Sequence, residues 1–268
     1  TLTLTSNNAF TGTTTVNGGT LRMLNSSSGN AIGGADPAQN YIVGSGAILE
    51  FNRTGGTSGI NRFNLSGSGT FKTSGTQEIA QTSAGSTVAM GSGALFHVES
   101  GSYRFGGGGL GDWSVNLSDL QVDSGATFNG AATPIVVNAL NGSGTVKTGG
   151  GITVGIDNGS GSFSGIIENS SDGGSAFSIT KGGSGTQTLS GANTYTGGTT
   201  LTGTGTLVLE DVNAAGTGSI IQTDANSILR FDTTGTITNS MTLYNFESLR
   251  NVTLSGDINA QDATYKIA

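Results

Sequence analysis

The feature that most limits what this chain can fold into is one short pattern that keeps returning. Apolar side chains sit at every second position for three to five residues, and then Gly, Asn or Ser closes the run. Leu2/Leu4, Leu49/Phe51, Phe96/Val98, Tyr103/Phe105, Val115/Leu117, Ile152/Val154/Ile156, Leu207/Leu209, Leu229/Phe231 and Val252/Leu254 all follow it. A period of two is a strand with one buried and one polar face. Long helical periodicity is absent, and the dominant Gly, Thr, Ser and Asn are poor helix-interior residues.

The runs are joined by corners that recur almost letter for letter. Leu65–Gly75 reads LSGSGTFKTSG and Leu140–Gly150 reads LNGSGTVKTGG. A second set leads a Ser- or Gly-rich turn into a strand: GSGAILEF from Gly44, GSGALFHV from Gly91, DSGATFNG from Asp123 and, more distantly, ANSILRFD from Ala225. A third links Thr3–Met23 to Thr188–Leu209 along its whole length, with Phe10 in place of Tyr195. Strand–corner–strand units of about 20–25 residues are the mark of a solenoid, in which each coil packs only on its neighbours. A hairpin sandwich is the alternative, and the Asn-Gly pairs at Asn17, Asn129, Asn141 and Asn158 suit its turns. Identical corners at a fixed register favour stacking, because the same bend must lie above itself. The expected fold is therefore all-β, a right-handed parallel β-helix of about twelve coils, which at roughly 4.8 Å per coil is a rod of about 55–60 Å. Residues 1–268 are expected to form a single such domain. Its core rows are expected to include Leu207 and Leu209 facing in, with Val208 facing out.

Composition supports a fold over disorder and removes several functions. Glycine accounts for 48 of 268 residues and only 10% are charged. Even so, Leu, Ile, Val and Phe make up about 22%, above the level at which disorder becomes the rule. Ten Lys plus Arg against 17 Asp plus Glu give a net charge of −7. Phosphate-backbone recognition needs clustered cations, so no nucleic-acid partner is expected. No apolar run approaches the ~20 residues of a membrane helix. There is no cysteine, so disulfides and thiolate metal sites are excluded.

The run LSGANTYTGGTTLTGTGTLVL at Leu189–Leu209, with its lead-in ITKGGSG at Ile179–Gly185, resembles the passenger-associated transport repeat, also called the autotransporter-associated β-strand repeat. Leu4–Leu21 is similar, though less complete. The resemblance implies a secreted, right-handed β-helical passenger carried out by a C-terminal β-barrel, with repeats that aid export and folding. Tyr265-Lys266-Ile267-Ala268 carries none of the ten-residue spans of such a barrel. The resemblance thus implies a fragment of a longer passenger, extracellular or on the outer-membrane surface, which meets a membrane only through a barrel that is not in this sequence. It further implies a non-catalytic stalk or adhesin, with a host-surface or glycan ligand.

Candidate sites are few, and none is assigned as catalytic, cofactor-binding or metal-binding. His97 is the one histidine, and its parity in Leu95-Phe96-His97-Val98-Glu99 points it outward, away from any triad. Gly107–Asp112, GGGLGD, departs from the tandem calcium nonapeptide at its fourth position. Gly106–Gly111 reads as a corner, with Trp113 opening the next strand. A polysaccharide-degrading or polysaccharide-binding β-helix is the alternative function. Its candidates are Glu50, Arg53 and Arg62 on the early coils, and Glu210, Asp211, Asp224, Arg230 and Asp232 on the later ones. Thr-x-Thr elements at Thr1–Thr3, Thr13–Thr15 and Thr200–Thr202 raise an ice-binding reading, which requires one flat threonine rank with a copy in every coil. In the sequence the copies are irregular. The end segments Thr1–Thr5 and Asp262–Ala268 lack a polar cap, so either end-to-end self-association or continuing chain at both ends in the parent is expected.

Overall fold

The computed structural model describes residues 1–5, 12–25, 39–55, 63–81, 85–105, 111–172 and 176–267. Among these there is no helix, and every strand pairing is parallel. The hairpin alternative fails on that point, since a two-residue turn joins only antiparallel strands. The chain winds into stacked coils with up to three sides each. The longest ladder runs without a break from Leu2–Leu4 through Thr20–Asn25, Ile48–Arg53, Thr70–Gly75, Leu95–Val98 and Asp119–Val122, and on to Ile258–Ile267. We call this the long face. In most coils a strand precedes it on the leading face, for example Gln39–Val43, Ile152–Val154 or Thr199–Leu201. A third, trailing face carries Glu78–Ala80, Ser102–Arg104, Thr127–Asn129, Thr145–Thr148 and Ile166–Asn169. Coils with all their sides in described residues number about nine, somewhat fewer than the twelve expected. The first three long-face strands, Leu2–Leu4, Thr20–Asn25 and Ile48–Arg53, are each followed by residues outside the described ones, 6–11, 26–38 and 56–62.

Parallel in-register stacking puts like side chains above one another. One inward row of the long face reads Leu49, Phe71, Phe96, Leu120 and Leu140, each 0–1% exposed. Between Tyr41 and Phe128 the interior is aromatic, with Phe51–Phe71 and Phe96–Tyr103 ring centroids 5.0 and 5.1 Å apart in edge contact. Further along the rod an inward row of the leading face is mostly aliphatic, with Ile135, Ile152 and Ile179 in line, then Thr199 and Ile220.

The twin corners show why glycine is required. Gly67 and Gly142 have φ of +105° and +106°, which L side chains rarely adopt. A Cβ on either would lie 2.1 Å from the carbonyl oxygen of the coil beneath, that of Val43 or of Val122.

Three details depart from the sequence expectation. Val115 and Leu117 are not a strand. Asp112 accepts a hydrogen bond from the Ser114 N–H at 2.9 Å and turns the chain, leaving Val115 62% exposed. Trp113 is buried, as a strand opener would be, but it precedes this turn rather than a strand. The Asn116 carboxamide replaces the missing ladder, accepting from Met90 N–H at 3.2 Å and donating to the Val136 carbonyl at 2.8 Å. Ile156 likewise sits in a turn and is 45% exposed. Leu207 and Leu209 face in, and Val208 faces out, yet Val208 is only 7% exposed. It is flanked in its row by Thr188 and Arg230. The long stem of an arginine covers neighbouring apolar surface while its charge stays wet.

Candidate functional site

A set of specific contacts ties neighbouring coils together at the corner of residues 189–199, where strand pairing gives out on the trailing face. Asn193 takes over there. Its side chain is 2% exposed, accepts the Ile167 N–H at 2.8 Å from the coil on one side and donates to the Ala214 carbonyl at 2.6 Å on the other. An asparagine can do this because one planar amide carries both a donor and an acceptor. Tyr195 is fully buried, packs on Phe177 at 5.5 Å between centroids, and its hydroxyl lies 2.6 Å from that of Thr199. Burial pushes the phenol far above the ordinary tyrosine range, and the Thr199 hydrogen bond only partly opposes this. Gly191 lets the coils close up, since a Cβ there would stand 1.8 Å from the Gly165 carbonyl oxygen.

Two further side chains of this segment point into the core although they are polar. Gln187 belongs to the same inward row as Leu140, with Gly161 between them. The ladder at Leu140 is thin, because its strand meets the next only at Gly142 and Phe163. The Gln187 carboxamide crosses over the bare Gly161 and satisfies both backbone groups of Leu140, at 3.1 Å to N–H and 2.9 Å to the carbonyl. Lys181 lies in the row of Val154 and Leu201 and is 1% exposed. Its ammonium donates to the Gly182 carbonyl and sits between glycine corners of adjacent coils; a Cβ at Gly155 or Gly205 would come within 3.0 or 2.8 Å of it. Burial draws its pKa down to about 8. Gln222 repeats the device in the following coils, accepting from Tyr244 N–H at 2.9 Å beside a ladder irregularity.

The candidate glycan-site residues are scattered into structural pairs. Glu50 is 2% exposed and bonded to Arg22 and Ser74, at 2.8 and 2.7 Å, with Lys72 at 3.4 Å. Burial pushes its carboxyl up, but the hydrogen bonds of Ser74 and Arg22 and the charges of Lys72 and Arg22 outweigh this and hold the pKa below the usual value. Arg53 points away from Glu50, and its guanidinium bonds the Gly55 and Glu78 carbonyls. Arg62 lies outside the described residues, as does Phe10. On the later coils, Arg230 pairs with Glu247 at 2.7 Å. Asp211 and Asp224 each accept a backbone N–H two residues on, at 2.8 Å, which fixes a turn. Only Glu210 and Asp232 come together, in a shallow groove with Thr233, Thr234 and Arg250, where Arg250 pairs with Asp232. His97 faces outward as expected and meets Asp123 at 2.9 Å. No group of three or more metal-ligating side chains occurs among the described residues.

The chain is thus a parallel β-solenoid whose neighbouring coils are tied together by buried Asn and Gln side chains. The passenger-associated-transport-repeat family model matches residues 1–23 and 179–209, the second match spanning the corner just described. Repeats of this family on a β-solenoid fit an autotransporter passenger. The family implies a secreted or outer-membrane-surface protein. No curated protein and no solved structure matches the chain.

The sequence reading located the repeat but not the roles of Asn193, Gln187 and Lys181. A polar residue at inward parity in an otherwise alternating strand, as at Gln187 and Lys181, was the available signal.

Proposed function

We propose that the chain is a non-catalytic β-helical stalk or adhesin segment, and that its repeats act as coil locks supporting export and folding. The observation that carries this is Asn193, which bonds one coil on each side and so commits both neighbours at once. In a solenoid each coil is stabilised only by its neighbours, so folding propagates from wherever a coil is already held. A locked coil on the far side of the membrane resists return of the chain and gives the next coil a template. The test is secretion of the full-length parent with Thr188–Leu209 deleted, or with Asn193→Ala and Tyr195→Ala together. The expected result is reduced surface display with fragments retained inside. Unchanged secretion overturns the role in export.

A glycan-directed function has one observation in its favour, the groove that joins Glu210 and Asp232 to Arg250. Arg250 already engages Asp232 there, which favours a binding over a hydrolytic role for the groove. Incubation with a polysaccharide panel separates the two readings: product release would replace the stalk reading with an enzyme.

A further inference from the structure

The charges of the solenoid are sorted by face. The ion pairs of Glu50, Lys72, His97 and Arg230 belong to the long face, and those of Arg104 and Lys147 to the trailing face. The leading face is different. Its outward row runs Val136, Thr153, Thr180, Thr200, Ile221, Thr242 across six consecutive strands in perfect register. Every member is β-branched and none is charged. The column two residues before it holds Pro134, Gly151, Ser178, Gly198, Ser219 and Ser240, and the column two residues after is equally free of charge. The first charge in line is Asp257, beside Ser240, past the end of the row. Of the Thr-x-Thr elements only Thr200 joins this row, since Thr3 pairs with Arg22 on the long face and Thr15 with Ile42 on another ladder. The other threonines of the row are single in the sequence and are aligned by the pairing register.

We propose that the leading face between Val136 and Thr242 is an ice-binding surface. The row repeats at the inter-strand spacing of about 4.8 Å and so spans about 24 Å. Each side chain presents a methyl beside a hydroxyl or a second alkyl group. β-Branching leaves little χ1 freedom, so the rank is stiff. The column before it is glycine and serine apart from Pro134, the column after it ends at Tyr244, and at the far end Ile221 and Thr242 border a groove with Ser219, Ser240 and Asp257. An ammonium or carboxylate would hold its own strong hydration shell and break an ordered water layer; this face has none. Its composition suits other occupants poorly. Protein interfaces draw their affinity from Trp, Tyr and Arg, with Ser, Thr and Val under-represented among their hot spots, and the row supplies no aromatic platform on which a sugar ring could stack.

The test is thermal hysteresis and ice-recrystallisation inhibition of the 1–268 chain, with Thr200→Lys and, as a control on the exposed long face, Ser162→Lys. The proposal requires a hysteresis gap for the unmodified chain, its fall to the buffer level in Thr200→Lys, and its retention in Ser162→Lys. Circular dichroism melting checks that the variants fold; if Thr200→Lys does not, Thr180→Lys replaces it. An unmodified chain indistinguishable from buffer, or full activity in the folded Thr200→Lys or Thr180→Lys variant, overturns the proposal. So does capture of an insoluble neutral polysaccharide, or self-association, that is lost in Thr200→Lys while no ice activity is seen. The inference does not rest on the export reading, and secretion of the parent leaves it untouched.

Discussion

Lys181 is the residue at which sequence expectation and packing collide most directly: an amine in a row of aliphatic side chains. Burial lowers its pKa to about 8 in the folded coil, against a higher value in the unfolded chain. The unfolded state therefore binds more protons between pH 8 and about 10.5, and stability rises with pH through that window. At lower pH both states are charged, and the fold carries the cost of burying the ammonium, up to about 3 kcal/mol. The buried tyrosines act in the opposite sense higher up. Tyr41, Tyr103 and Tyr195 are all pushed above the ordinary tyrosine value, chiefly by burial. Their phenols ionise first in the unfolded chain, so stability falls again above about pH 10. Urea unfolding followed across pH 7–11 should thus show a maximum near pH 9–10. Lys181→Met should raise stability at pH 7 and abolish the rising limb. A flat profile in the unmodified chain between pH 8 and 10 would place the amine in water instead.

At the scale of the element, the corner decides more than the strand. Gly191 and Gly93 look alike in sequence, each a glycine in a Ser- and Gly-rich turn. Gly93 has φ of +75° and open space around it, so Gly93→Ala incurs only the left-handed backbone penalty of about 1–2 kcal/mol. Gly191 faces a carbonyl oxygen at 1.8 Å from the added carbon, so Gly191→Ala must push two coils apart and should cost about 3 kcal/mol or more. Chemical denaturation of the two variants checks the order, and equal losses would mean that the coils are not in close contact at that corner. This also shows what was legible. Period-two alternation gave most strands and their inward faces, because one buried side and a pleat leave no other choice. The failures fall where a side chain replaces the backbone ladder. Val115/Leu117 alternates properly but is bent outward by Asp112, and Asn116 supplies the missing hydrogen bonds. Asn193 and Gln187 were legible as repeat letters only, since which carbonyl or N–H they reach depends on the neighbouring coil and not on local sequence.

Over the whole molecule, the stacking of unequal coils creates features that no linear reading contains. The glycan-site candidates are dispersed, Glu50 into an ion pair, Asp211 and Asp224 into turns, and only Glu210 and Asp232 into one groove, while single threonines far apart in sequence align with Thr200 in one row. The interior also changes character, aromatic toward the N-terminal coils and aliphatic with buried amides toward the repeat at 179–209. Solenoids lose cooperativity along their length because distant coils share no contacts. A lock such as Asn193 should therefore act locally and on both sides. Hydrogen exchange of Asn193→Ala beside the unmodified chain, resolved to single segments, tests this most directly. The account requires faster exchange in Ile166–Asn169 on one side and in 211–216 on the other, with Phe63–Gly75 unchanged. Unaltered protection of both flanking segments, or an equal loss along the whole rod, would contradict it.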